Sequence, residues 1–143
     1  MTYSLWKRAT TAWLGFFLLA FVNGTIRVVA IAPLVGETWA HPLSVATGIS
    51  LFTIYADLIW KWLGVDTVGL SLAIGAYWLV LTVIAETFLI NRWISGMPWQ
   101  QIFQTYNLVE GELWPLVLLW VGLLPLVLLK VRHHRRNSLR RPS

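Results

Sequence analysis

The chain has 143 residues, of which 57% are hydrophobic and only 12% charged, with ten tryptophans and a net charge of +5; its mean hydropathy is +0.67. A soluble domain carries about twice that charged fraction, so a water-soluble globule is excluded, and the length holds one domain, 1–143. No cysteine is present, which excludes disulfides, thiolate metal sites and cysteine nucleophiles.

Four apolar stretches fill most of the chain, at about 11–31, 42–60, 68–90 and 113–129. A helix crosses a ~30 Å hydrocarbon core with roughly 20 mostly apolar residues. The predicted fold class is therefore all-α, a four-helix transmembrane bundle. The first stretch follows Lys7 and Arg8 and ends at Ala30-Ile31-Ala32, which has the look of a signal cleavage site. Its apolar region exceeds the roughly 7–15 residues of a signal sequence, so a retained helix is predicted. Asn23 and Arg27, four apart, share one face of it.

The second stretch opens at Pro42, which predicts a helix start there and leaves Glu37 in the preceding loop. Were the helix to begin earlier, Glu37, His41, Ser44 and Gly48 would fall on one face. At its other end Asp57 and Lys61 are spaced as a solvated surface pair, and Lys61 to Thr67 reads as a short connector. In the third stretch Glu86 shares a face with Gly75 and Thr82, small residues that let helices approach closely.

The loop from Asn91 to Glu112 is too long for a plain turn. Ser95-Gly96-Met97-Pro98 reads as a helix start with Pro98 at the first position. Trp99, Ile102, Phe103 and Tyr106 then recur at helical spacing, with Gln100, Gln101, Gln104 and Thr105 on the other face. This predicts a short amphipathic helix over 98–106 lying at the membrane interface, either as a structural re-entry or as a lid made of Trp99, Ile102, Phe103 and Tyr106. Asn107 is expected to stop it and Gly111 to permit the turn onward. In the fourth stretch Pro115 fits the first turn, and Pro125 is expected to kink the far end. A basic tail, 130–143, closes the chain.

Four spans put both ends on one side, together with all the lysines and arginines except Arg27 and Arg92. The positive-inside rule makes that side cytoplasmic, in a cell's inner membrane. Trp6, Trp13, Trp60 and Trp62 then gather at the inner interface, and Trp39, Trp93, Trp99 and Trp114 at the outer one, as indole rings prefer. The tail fits anionic lipid at about 1 kcal/mol per charge, rather than nucleic acid. His133-His134 has no third metal ligand nearby in sequence.

Two charges fall inside the apolar stretches, Arg27 and Glu86, each four residues from its span's end and so roughly 6 Å below the outer boundary. An ionisable residue in hydrocarbon marks a functional site by default. Arg27 can snorkel on its long stem, whereas Glu86 needs a partner or a proton. An Arg27–Glu86 pair between the first and third helices satisfies both. Three readings of the cluster Arg27, Glu86, Asn23, His41 and Glu37 follow: an ion pair that fixes helix register, a binding or transport site, or a metal or hydrolytic centre. No catalytic motif accompanies the third, since Gly-x-Ser-x-Gly, a phosphate loop and His-Glu-x-x-His are all absent. No catalytic residue, resident metal or cofactor is assigned.

The segments Asn23-Gly24-Thr25-Ile26-Arg27, Gly36-Glu37 with His41, then Glu86, Tyr106-Asn107 and Gly111-Glu112-Leu113-Trp114 together resemble small four-span bacterial membrane proteins of unassigned function. The resemblance spans most of the chain and implies that the outer polar cluster is a shared feature; it implies no activity. The sequence thus leads first to a non-enzymatic subunit or self-assembling bundle with an outer polar pocket. A small transporter or lipid-handling protein using Arg27 and Glu86 comes second, and a membrane enzyme third. Expected partners are membrane lipids, with a second copy or a partner subunit.

Overall fold

The computed structural model describes residues 2–107 and 112–139. Gly111, the expected turn, and Glu110, Arg140 and Arg141 lie outside them. Among the described residues all regular structure is helical. Helix α1 covers Thr2–Ile26 and passes through a π-helical segment, Arg27–Ile31, into the short α2, Ala32–Val35. Helix α3 is Glu37–Leu63. Helix α4, Val68–Ile84, continues as a second π-helical segment, Ala85–Ile94. The short α5 is Trp99–Gln104 and α6 is Trp114–Leu139. Four of these runs, Tyr3–Val35, Glu37–Leu63, Val68–Ile94 and Trp114–Arg135, are long and apolar enough to cross a membrane.

Each helix outlasts the apolar stretch that announces it, because a helix satisfies its own backbone and stops only where a local device stops it. Gly36, at φ 78° and ψ 158°, ends α2 in a conformation that only glycine adopts readily. The next residue, Glu37, already begins α3. The expected start at Pro42 is thus corrected: Pro42 lies inside α3, where it withholds one amide from the Thr38 carbonyl without breaking the run. At the other end of α3, Gly64 in the left-handed region caps the helix, its N–H reaching the Trp60 carbonyl at 3.2 Å. Thr67 then caps α4 by accepting from the Leu70 amide. Helix α6 carries Pro115 in its first turn and runs on through Pro125 into the basic tail.

Helices α1 and α6 each pack on both α3 and α4, so the long helices form a ring in the order α1, α3, α6, α4. Small residues set the spacing of α4 and α6, where Gly75 faces the backbone of Gly122. The core lies toward the end of the bundle that carries the chain termini. Phe16 meets Phe52, Tyr55 and Trp78 edge-on, with ring centres 5.3, 5.0 and 4.8 Å away. Buried Trp78 donates its indole N–H to the Ala9 carbonyl at 2.8 Å, and Trp13 and Trp120 donate to Thr82 and Thr53, both at 3.0 Å. These bonds lock neighbouring helices where no hydrophobic force between them operates in lipid. The ring's outward surface is apolar, with Leu18 62% and Leu58 77% exposed, which water does not tolerate over such an area.

Also at this end, Asp57 takes Arg132 of α6 as its partner, not Lys61, with Nε and Nη2 donating to Oδ1 at 3.2 and 2.5 Å. The i,i+4 spacing offered Lys61, but the ring places the fourth helix closer.

Candidate functional site

At the opposite end the ring opens around a cavity of about 840 Å³. The ring and hydrogen-bond contacts joining α1 to α4 run from Trp6–Tyr77 to Trp13–Thr82. Beyond them the cavity is lined by Phe17, Phe21 and Val28 of the first span and by Glu86 and Ile90 of the third. Its deep end is lined by aromatic and aliphatic side chains, among them Phe16 and Phe52, whose rings are in contact. Phe21, Val28 and Val29 line it and are also 62, 58 and 71% exposed, so the cavity is open along the first span.

The five residues of the expected cluster all border this cavity: Arg27, Glu86, Asn23, His41 and Glu37. Their pairing differs from the expectation. Arg27 Nη1 forms its ion pair with Glu37, and among the described residues no ion pair or hydrogen bond joins Arg27 to Glu86. The physical reason is the one-residue reversal at Gly36. It folds the start of α3 directly back along the first π-helical segment, so Glu37 and His41 reach the guanidinium before anything on the third span can. Arg27 Nη1 also donates to His41 Nδ1 at 3.3 Å. Because a guanidinium only donates, His41 Nδ1 is the acceptor in this contact.

Asn23, one turn before Arg27, ties α1 to α3. Its amide donates to the Ser44 carbonyl at 2.8 Å and to Ser44 Oγ at 2.9 Å, and its carbonyl oxygen accepts from Thr47 at 2.9 Å. Gly48 leaves room for this amide, since a Cβ there would lie 3.2 Å from Asn23 Nδ2.

Both charges of the apolar spans sit at the start of π-helical segments, Arg27 first in one and Glu86 second in the other. A π turn widens the helix and redirects its side chains, and such turns gather at functional sites. In the first segment the Ala32 amide bonds the Arg27 carbonyl five residues back, just before Pro33, which has no amide to offer. Glu86 makes no hydrogen bond or ion pair among the described residues. Burial pushes the Tyr106 phenol above its ordinary value, the hydrogen bond to Thr87 pulls it down, and the charge of Glu86 pushes it up again. Three buried nitrogens have no hydrogen-bond partner among the described residues: His41 Nε2, Trp114 Nε1 and Asn91 Nδ2.

The expected lid residues do not line the cavity. Ile102 is fully buried, Phe103 is 69% exposed and Trp99 is 44% exposed. Trp99 meets Phe88 edge-on at 5.9 Å, and Tyr106 and Thr87 share a hydrogen bond of 2.8 Å. The cavity-lining residue on this segment is Thr105, which the helical spacing put on the polar face. Helix α5 is shorter than expected, with Pro98 as its cap rather than its first residue, so one face does not persist over two turns. The sequence reading also missed Glu112 and Trp114 as members of the site. Both flank the entry to α6, where composition offers no period to read.

The ion pair supports a quantitative expectation. Double-mutant cycles on melting stability should give Arg27→Gln and Glu37→Gln a coupling of roughly 0.5–1 kcal/mol, the upper range for a partly exposed pair. Arg27→Gln and Glu86→Gln should couple less. The reverse ranking would return the partnership to Glu86.

No protein-family model, curated protein or solved structure matches this chain.

Proposed function

We propose that this chain is a small multi-pass membrane protein that holds an amphipathic molecule drawn from the outer leaflet. The head lies among the charged residues at the mouth and the apolar part lies along the aromatic floor. The observation that carries this reading is one cavity, within the roughly 300–1,000 Å³ of small-molecule sites, that is charged at one end, apolar along its depth and open along the first span. Such an opening suits a ligand that arrives from lipid. The contacting rings of Phe16 and Phe52 at its floor suit holding such a molecule rather than conducting it through the bundle.

In this reading both termini face the cytoplasm across an inner membrane. The chain acts as one transmembrane domain, and its basic end, from Lys130 onward, meets anionic headgroups. Helix α5 rests at the outer interface, and Thr105 carries its influence to the mouth. A second copy or a partner subunit covers part of the apolar outer surface. The transporter reading shares the same cavity and asks in addition for a path past the aromatic floor.

Filling the cavity tests the proposal. Ala20, partly buried, lines it, and Ala20→Trp occupies the floor. After gentle extraction, native mass spectrometry is expected to find an amphiphile on the wild-type chain and roughly tenfold lower occupancy on Ala20→Trp, at equal melting temperature. Equal occupancy in the two would remove the cavity as the binding site.

A further inference from the structure

We propose that the molecule held in this cavity is a cationic amphiphile, an ammonium head on a single apolar chain, with Glu86 as its counter-ion. The inference rests on the reading that the cavity holds an amphipathic ligand, and it concerns the charge of the head.

Charge balance carries it. Arg27 is the one lysine or arginine among the described residues that line the cavity, against the carboxylates of Glu37, Glu86 and Glu112. Its guanidinium is already engaged by Glu37 and His41. Glu86 borders the cavity and has no hydrogen-bond or ion-pair partner among the described residues. Without a partner a buried Glu86 needs a proton, and the cation that can take that proton's place has to come from a ligand. An ammonium head at Glu86 meets that need with an opposite charge in a medium of low dielectric, where the attraction is strong.

The walls agree. Trp13, Phe17 and Trp114 line the same space, and aromatic faces attract an ammonium group once water is excluded. An anionic head would enter against Glu86 and Glu112 with the cavity's guanidinium taken. A zwitterionic head also brings an ammonium, but its phosphate then meets Glu37 and Glu112 unless it draws Arg27 away from Glu37. One chain, rather than the two of a diacyl lipid, suits a volume of about 840 Å³ at the scale of drug-sized ligands.

The experiment is isothermal titration of the purified full chain, in an uncharged maltoside, with three twelve-carbon amphiphiles below their micellar concentrations. They are dodecyltrimethylammonium, dodecylphosphocholine and dodecyl sulfate. The expected result is saturable binding of the ammonium compound at least roughly tenfold tighter than either of the others, and at least roughly a tenfold loss in Glu86→Gln with the melting temperature kept. Equal or tighter binding of the phosphocholine or the sulfate overturns the proposal, as does no binding of the ammonium compound or unchanged affinity in Glu86→Gln. Should Glu86→Gln fail to fold, the ranking of the three heads on the wild-type chain decides alone. Ala20→Trp separates the cavity reading from the charge of the head. If it blocks a sulfate or phosphocholine ligand, the cavity reading stands and the cationic head falls. If a ligand binds and Ala20→Trp does not weaken it, the cavity reading itself falls.

Discussion

Gly75→Ala is expected to destabilise the bundle by about 1–3 kcal/mol, although alanine is the better helix former by up to about 1 kcal/mol. The geometry decides between the two effects. A Cβ on Gly75 would overlap the Gly122 carbonyl oxygen and lie 3.0 Å from the carbonyl carbon. No side-chain rotation relieves a clash with backbone, so α4 and α6 must move apart along their most extensive contact. Such close approaches of small residues are a main source of helix association in lipid, where the apolar effect gives none. Two controls isolate the cause. Gly69, in the same helix, has nothing within 4 Å of the point a methyl group would occupy, so Gly69→Ala should leave stability unchanged or raise it slightly. Gly122→Ala meets first the flexible end of Leu79 at 3.2 Å, and should cost less than Gly75→Ala. Thermal unfolding in detergent gives the ranking; equal melting of Gly75→Ala and Gly69→Ala would mean that the two helices do not approach this closely.

The four spans were legible because hydropathy over some twenty residues is a strong signal, and Arg27 and Glu86 stood out because charges are rare there. Helix ends were not legible in the same way. The predicted first span stops near Ile31, at the apparent cleavage site, whereas the apolar Ala32-Pro33-Leu34-Val35 continue the helical run to a glycine with positive φ. Two start rules competed at the second span. Proline favoured Pro42, while the shared face of Glu37, His41, Ser44 and Gly48 favoured an earlier start. The helix starts at Glu37 because Gly36 ends the preceding run there; the charged pair with Arg27 is only a partial offset to the backbone bond lost at Pro42.

That same glycine explains the wrong partner for Arg27. Depth in the membrane matched Arg27 with Glu86, but depth says nothing about direction around a helix. The π-helical segments that hold both residues shift that direction by an amount no 3.6-residue period encodes. The short α5 forms where expected, but its single apolar face is not kept, for a related reason. Its apolar spacing was real, but six residues make too little helix to keep four side chains on one face, so Ile102 turned inward and Phe103 outward.

Phe16→Ala is expected to have a comparable effect on stability and to change binding as well. Phe16 is 3% exposed and is the ring on which Phe52, Tyr55 and Trp78 converge. In a soluble core such a truncation costs about 3–5 kcal/mol. In lipid the transfer part is largely absent, since acyl chains are as apolar as the site that is lost. The lost ring contacts and the new void remain, so about 2–4 kcal/mol is expected. Phe16 also lines the cavity, and its ring is part of the floor. Truncation therefore lengthens the space available to an apolar chain. In titrations with alkylammonium compounds of increasing length, the tightest-binding chain should be longer for Phe16→Ala than for the wild type, while Phe16→Leu should stay near the wild-type optimum. A melting point lowered without any change in preferred chain length would place the ligand's apolar part away from the floor, along the opening at Phe21 and Val28. The stability change and the length shift come from the same missing ring, so measuring both on one variant distinguishes a floor that touches the ligand from one that only supports the helices.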